Sequence, residues 1–333
     1  MRIAVCRPQV PFARGGVEIF TDTLVEELRA RGHEADLVSI PLKWYPAARV
    51  LTHAFMWRLL DLEEVDGRAV DLVIATKFPS YAIRHRNKVV WLVHQFRQAY
   101  ELDRTELGQF SESAEDRALR LKIHDLDRVA LGEATRLFAT SGNVAGRLLR
   151  STGLEAEILP HPPQALAYRT DSYEPFVLSV GRLDRAKRID LLLEAAARGG
   201  LEVVVAGEGP DGERLRGLAN GRVRFAGRVS DEELADLYAR CRAVYYAPVD
   251  EDFGMVPFEA FLAGKPVVTT TDAGGPLDVV HDGRTGRVVE PRADALAAAL
   301  AVTEDEARAW GLAGKALAAE VTWDRAIGRL LGE

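Results

Sequence analysis

Two acids at a fixed interval are the first residues in this chain whose types and spacing could do chemistry. The stretch EDFGMVPFEAFLAGKPVV, residues 251–268, holds Glu251 and Glu259 with seven residues between them, Phe253 and Gly254 in the loop among these. A carboxylate accepts hydrogen bonds at two oxygens, which suits neighbouring hydroxyls of a ribose or another sugar. Upstream, VGRLDRAKRIDLL brings Gly181, Arg182 and Lys187 to the start of another helical run. Arginine with its planar fork and lysine with its compact charge both neutralise phosphate. The backbone N–H groups of Gly254, Met255 and Val256 just precede a helix, where the positive helix end meets an anion. A glycine there lets the backbone come close. Together these residue types fit an anionic, sugar-bearing ligand.

Such residues need a scaffold that gathers them. The chain alternates short apolar runs with helical periods. Strands are expected at 2–7, 35–40, 72–77, 89–94, 137–141 and 155–160, then at 176–180, 202–207, 223–227, 243–248 and 266–270. Val17, Phe20, Leu24 and Leu28 share one helical face after the first strand. Between the two series lies PHPPQALAYRTDSYEP (160–175), rich in proline and without helical period. The expected fold is α/β: two Rossmann-like domains facing a central cleft, residues 1–162 and 174–317, with a linker over 163–173. In open parallel sheets ligands bind beyond the carboxyl ends of the strands. That places Gly15 and Gly16 after the first strand and His94 after the fourth, as well as the loops already named.

Composition narrows the function. The 333 residues fit two domains at roughly 150 residues each. A net charge of −7 argues against a nucleic-acid partner. Cys6 and Cys241 read as buried, reduced thiols, and no cysteine or histidine cluster suggests a metal site. The amino terminus lacks signal-peptide anatomy, and no run reaches the ~20 apolar residues of a membrane span. The expected location is cytoplasmic, or peripheral at the inner face of the membrane. Abundant arginine and alanine suggest a GC-rich bacterial source. The segment KWYPAARVLTHAFMWRLLDLEE (43–64) is aromatic and partly basic. A packed or acceptor-facing helix is expected there over a membrane-touching one, because Asp61, Glu63 and Glu64 close it.

Read in order, ARGGVEIFTDTLVEELRARGHE, WLVH, VGRLDRAKRIDLLLEA, VAGEGPD, FAGRVSDEELADLY, DEDFGMVPFEAFLAGKPVV and DAGGPLDVVHDGRTGRVVEP make the chain resemble the family 4 retaining glycosyltransferases. The resemblance covers nearly the whole chain and is strongest over residues 174–290. It implies the GT-B fold, with a helix at 318–333 returning around Trp323 to the first domain. It also implies roles. Glu251 would contact the donor sugar's hydroxyls and Glu259 the ribose. Arg182 and Lys187 would hold the diphosphate, with Gly15, Gly16, Gly181 and the 253–256 backbone close to it. His94 would reach the donor sugar, and the base would sit against the backbone of Arg228 and Val229. The sequence departs from the family's usual pattern at PHPPQ and at Asp252.

The implied reaction moves a sugar from a nucleotide-diphosphate sugar, UDP- or GDP-linked, to a hydroxyl of a glycan, a lipid-linked saccharide or a small molecule. The anomeric configuration would be retained by front-face displacement, with no metal or other cofactor. A covalent role for Glu251 is the lesser alternative. A sugar-nucleotide epimerase and a non-catalytic nucleotide-sugar-binding protein are the competing readings of the same scaffold. Two motifs are decoys on this reading. GEGPDG (207–212) spells a dinucleotide-binding GxGxxG but is interrupted by Pro210. DED (250–252) imitates a metal-binding Asp-x-Asp.

Overall fold

The computed structural model describes residues 1–12, 15–103, 105 and 108–333. Ala13 and Arg14, at the head of the first motif, lie outside the described residues. The chain divides into two compact units, Met1–His161 with Trp323–Glu333, and Pro162–Thr322. No helix among the described residues is long and apolar enough to cross a membrane.

In the first unit the strands are β1 (Arg2–Gln9), β2 (Glu34–Pro41), a small antiparallel hairpin of β3 (Glu64–Val65) and β4 (Arg68–Ala69), β5 (Leu72–Lys77), β6 (Lys88–His94), β7 (Arg136–Ala139) and β8 (Glu157–Ile158). Six of them form one parallel sheet in the order β2-β1-β5-β6-β7-β8. LVIATK in β5 is buried at every position. A strand covered on both faces needs such a continuous run, which is why apolar length located it. Helices α1 (Gly16–Ala30), α2 (Arg49–Leu59), α3 (Ala114–Gly132) and α4 (Gly142–Thr152) complete the unit. The helix expected over 43–64 is confined to α2. Pro46 cannot continue a helix interior, and Glu64 already belongs to the hairpin.

The second unit repeats the plan with β9 (Phe176–Val180), β10 (Glu202–Ala206), β11 (Val223–Gly227), β12 (Ala243–Tyr245), β13 (Val267–Thr270) and β14 (Gly286–Val289), in the order β11-β10-β9-β12-β13-β14. β14 is absent from the sequence-based expectation: GRVV is short and follows a turn-rich stretch. The helices are α5 (Ile189–Gly199), α6 (Gly212–Leu218), α7 (Asp231–Arg240), α8 (Val256–Leu262), α9 (Ala293–Leu300) and α10 (Glu304–Ala318). The proline-rich segment lies on this unit: Asp171 N–H donates to Ala239 O (3.0 Å), Thr170 Oγ1 to Ala263 O (2.8 Å) and Tyr173 OH to Gly264 O (3.1 Å).

The last helix, α11 (Trp323–Leu331), packs in the first unit. Its Ala326, Ile327 and Leu330 share a core with Phe20, Leu24 and Trp91. Trp323 stacks on Phe20 with ring centroids 6.2 Å apart. Both cysteines are buried and free, and burial pushes the Cys241 thiol up to about 12, so neither is a reactive thiolate.

Each sheet reverses direction once. In the first unit the chain leaves β1 towards β2 and later returns to place β5 on β1's other side. In the second, β9 stands between β10 and β12. Loops that follow the strands flanking such a reversal are brought side by side at the carboxyl edge. They are the loops after β1 and β5, and those after β9 and β12.

Candidate donor site

The loops after β9 and β12 do meet. After β9 the chain passes Gly181, whose φ of 145° suits glycine, and makes one 3-10 turn over Arg185–Lys187. Arg188 then takes a left-handed conformation, φ 50°, before α5. That conformation costs a non-glycine residue energy, and the Arg188 guanidinium fixes it with many bonds. It donates to Ala247 O (2.8 Å) and Pro248 O (2.8 Å), and to both carboxylate oxygens of Asp272 at 2.9 and 2.8 Å. The turn holding Lys187 is thereby tied to the strand end that leads to Glu251.

Lys187 Nζ forms an ion pair with Glu251 Oε2. Tyr246, at the end of β12, joins them: its hydroxyl donates to Glu251 Oε2 at 3.1 Å and accepts from Lys187 Nζ at 3.3 Å. Burial alone would lower the lysine's pKa. The Tyr246 hydroxyl and the Glu251 carboxylate more than offset it and hold Lys187 above the ordinary lysine value. Lys187 is therefore a permanent cation. Arg182 contrasts with it: exposed, its guanidinium has no hydrogen-bond or ion-pair partner among the described residues.

The loop after β12 is braced from below. Glu251 bridges Gly274 in parallel register: Glu251 N–H donates to Ala273 O (2.8 Å) and Gly275 N–H to Glu251 O (2.8 Å). Gly254, at φ 83°, lies against the Tyr246 ring, and a Cβ there would stand 2.8 Å from Tyr246 Cε1. The N–H groups of Gly254, Met255 and Val256 have no acceptor among the described residues. Gly254, the first of these open donors, and Lys187, its Nζ 5.3 Å from the ring centroid, thus both lie against Tyr246.

Glu259 lies one side over, in α8, buried, with Oε2 accepting from Tyr238 OH at 2.7 Å. Burial pushes its carboxyl above the usual range, partly countered by the Tyr238 bond. Arg228 is exposed and Val229 half-buried in the turn between β11 and α7, which Ser230 caps by accepting from Glu233 N–H at 3.2 Å. In the first unit, His94 ends β6 with Nδ1 2.6 Å from Gln95 O, which requires the proton on Nδ1. Gly15 caps α1, but its N–H donates to Glu18 Oε2 at 2.9 Å. Glu18 also pairs with Lys77 (3.2 Å) at the end of β5. Gly16 opens α1 and is exposed.

Sequence reasoning missed Tyr246 and Arg188. Tyr246 is one aromatic in the apolar run AVYYAP, and Arg188 one of several cations in DRAKRID. Lys187 lies 59 positions from Tyr246, and the partners of the Arg188 guanidinium lie 59 to 84 positions away, beyond any local period. The GxGxxG decoy receives a structural explanation. A Cβ on Gly207 would lie 1.9 Å from Gly181 O, and one on Gly209 2.2 Å from Leu183 O. These glycines let one carboxyl-edge loop lie on another. Among the described residues no group of three or more His, Cys, Asp or Glu is placed to hold a metal ion, the DED triplet included.

The profile of the family described as Glycosyl transferases group 1 matches residues 167–310. That span contains Arg182, Lys187, Tyr246, Glu251 and Glu259. Over this span the chain is similar to the group 1 glycosyltransferases. D-inositol 3-phosphate glycosyltransferase of Mycobacterium avium is 37% identical over 175 residues, 47% of this chain and 41% of that protein. A GDP-mannose-dependent alpha-mannosyltransferase of Mycolicibacterium smegmatis is 33% identical over 160 residues, 47% of this chain and 42% of that protein. These matches span less than half of either relative. Among solved structures, sucrose-phosphate synthase from Thermosynechococcus elongatus superimposes with a TM-score of 0.79 at 21% identity, covering 99% of this chain and 98% of that one. HepE of Anabaena, in complex with UDP and glucose, gives 0.69 at 17% identity, covering 100% and 99%. The likeness to group 1 glycosyltransferases thus lies in the second unit, and the GT-B architecture of two Rossmann-like domains extends over the whole chain.

Proposed function

We propose that this protein transfers a sugar from a nucleotide-diphosphate sugar to a hydroxyl acceptor, with retention and without a metal ion. The observation that carries the proposal is the Lys187–Tyr246–Glu251 cluster beside the three open N–H groups of residues 254–256. A permanent cation and a row of donors are what a leaving diphosphate requires. Arg182, exposed and unpaired, supplies a second cation from the same loop. In the reaction the bond from the anomeric carbon to the phosphate oxygen breaks and a bond to the acceptor oxygen forms. The acceptor's proton passes to the departing diphosphate. Glu251 takes the donor sugar's hydroxyls, Glu259 the ribose, and the backbone of Arg228 and Val229 the base. The resemblance assigns His94 as a further residue for the donor sugar. GDP-mannose in the relatives' names and UDP in the HepE complexes make GDP- and UDP-sugars the first donors to test.

Thermal-shift screening tests donor binding: a donor at 100 times its dissociation constant should stabilise the protein by about 2.7 kcal/mol. Nucleotide release that requires an added acceptor separates transfer from epimerisation. Activity surviving EDTA and NMR of fresh product with unchanged anomeric configuration are expected. EDTA inactivation reversed by Mg²⁺ would overturn metal independence, and inversion would overturn retention.

A further inference from the structure

Helix α2 has two apolar faces, and only one of them is packed. Val50, Ala54 and Trp57 are buried in the first unit's core. On the other side Thr52, Phe55, Met56 and Leu59 follow the i, i+3, i+4, i+7 spacing of a single helical stripe. Phe55 is 57% exposed, Met56 43% and Leu59 84%. The turn just before the helix adds Trp44 (38%) and Tyr45 (59%), rings packed edge to face at 5.3 Å. Lys43 N–H donates to His53 Nε2 at 3.3 Å, so this turn is folded onto the helix and the surface is continuous. Five large apolar side chains thus lie bare within sixteen residues, whereas the other exposed ones are dispersed along the chain.

Charge points to the occupant. The chain carries −7, yet no acid occurs between Asp36 and Asp61, while Lys43, Arg49 and Arg58 do; Asp61, Glu63 and Glu64, the acids for which a packed or acceptor-facing helix was expected, lie beyond the end of α2 at Leu59. Arg58 is neutralised by both oxygens of Glu133, at 2.5 Å each. Lys43 rests over the Tyr45 ring at 5.7 Å, and Arg49 is exposed with no ion-pair partner among the described residues. Aromatic rings, aliphatic side chains on one stripe and cations beside them are the composition of a helix that lies in a bilayer interface. Tryptophan and tyrosine favour the headgroup level. A second copy of this chain would offer the same cations and no acids to match them, so like charge opposes self-association here.

We propose that α2 and the Lys43–Pro46 turn dock this protein on an anionic bilayer surface. The turn follows the carboxyl end of β2, where Leu42 N–H donates to Gln9 O at the end of β1 (2.7 Å). Docking therefore brings the carboxyl edge of the first sheet to the lipid. If the proposed transfer holds, the acceptor is then borne by the membrane; the docking itself does not depend on that reading.

Vesicle co-sedimentation of the full chain tests it. Wild type should sediment with phosphatidylglycerol-containing vesicles at low salt, release at high salt, and stay in solution with phosphatidylcholine alone. Phe55→Asp with Leu59→Asp should lower partitioning at least about tenfold, because inserted apolar area drives such binding. Lys43→Glu with Arg49→Glu should weaken it and remove its salt dependence. Both variants should keep the nucleotide-sugar thermal shift, which reads the other unit, so failure of docking and failure of donor binding are distinguishable. Wild type remaining in the supernatant with anionic vesicles would overturn the proposal. So would the aspartate variant sedimenting like wild type, or light scattering showing a dimer that this variant splits.

Discussion

If the proposed transfer holds, a lysine held by both a tyrosine and a glutamate carries its charge chemistry, and the members of the site should fail in different ways. Negative charge grows on the diphosphate as the glycosidic bond breaks, so a cation meeting it gains strength toward the transition state. Lys187→Ala is expected to lower kcat by roughly 10²–10³, the scale of one lost preorganised charge-stabilising donor. Tyr246→Phe keeps the ring against Gly254 and leaves the Lys187–Glu251 pair in place, so its loss of kcat should be smaller. Glu259 is assigned to ribose, which does not change during the reaction, and Glu259→Ala should chiefly raise donor KM. Steady-state kinetics, with circular dichroism as the folding control, separates the three. Unchanged kcat in Lys187→Ala, or no turnover at saturating donor in Glu259→Ala, would reverse these roles. Glu259 sits apart in α8, bound to Tyr238. Lys187 and Glu251 were legible as neighbours because both fall in loops at the carboxyl ends of parallel strands, where the structure pairs them. Tyr246 was not, because a buried tyrosine in an apolar strand end reads as core until its hydroxyl's two partners are known.

Elements position these residues through contacts that sequence periodicity only partly encodes. The strands were legible because buried parallel strands are continuous apolar runs, and β14 escaped because four residues behind a turn carry too little signal. Gly207 shows what the fold demands of single positions: its Cβ would lie 1.9 Å from Gly181 O, backbone that cannot swing aside. Gly207→Ala should therefore destabilise the second unit by more than the 1–3 kcal/mol or so usual for overpacking, read as a fall in urea midpoint. In the first unit Asp127 of α3 is buried with no cation paired to it among the described residues, and accepts from Tyr81 OH (2.8 Å), Tyr100 OH (2.7 Å) and Gln95 Nε2 (3.1 Å). Burial, partly opposed by these donors, pushes its carboxyl up to about 7. The folded chain then keeps a proton that the unfolded chain has lost between the ordinary aspartate pKa of 3.8 and about 7. This group's contribution to stability should fall as pH rises across that window, by up to about 1.4 kcal/mol per unit. Asp127→Asn removes the titration, so the difference in urea stability between wild type and variant should move in the variant's favour from pH 5 to pH 7. A pH-independent difference would show that Asp127 stays ionised in the fold.

At the scale of the whole chain, the first unit is completed by residues more than a hundred and sixty positions away from the rest of it. The resemblance implied a returning helix around Trp323, while the helix's own sequence showed only amphipathic spacing, since its partners Phe20 and Trp91 are local to nothing near it. Ala326, Ile327 and Leu330 are 1%, 3% and 0% exposed, and without them Phe20, Leu24 and Trp91 would face water. Ending the chain at Thr322 should therefore damage the first unit selectively. The loss exceeds a single cavity: Ile327→Ala alone is expected to cost about 2–5 kcal/mol, and small domains have only 5–15 kcal/mol in total. Trp44, Trp57 and Trp91 remain in the shortened first unit and Trp310 in the second, so tryptophan fluorescence should lose most of its folded signal while Trp310 keeps its own. Limited proteolysis should digest residues before His161 and leave a fragment from about Pro162 onward. That fragment still holds Lys187, Tyr246, Glu251 and Glu259, so it should retain a nucleotide-sugar thermal shift while transfer to an acceptor is lost. Equal protection of both units after truncation would mean that α11 is dispensable to the first core, and that its three buried side chains contribute far less than their burial requires.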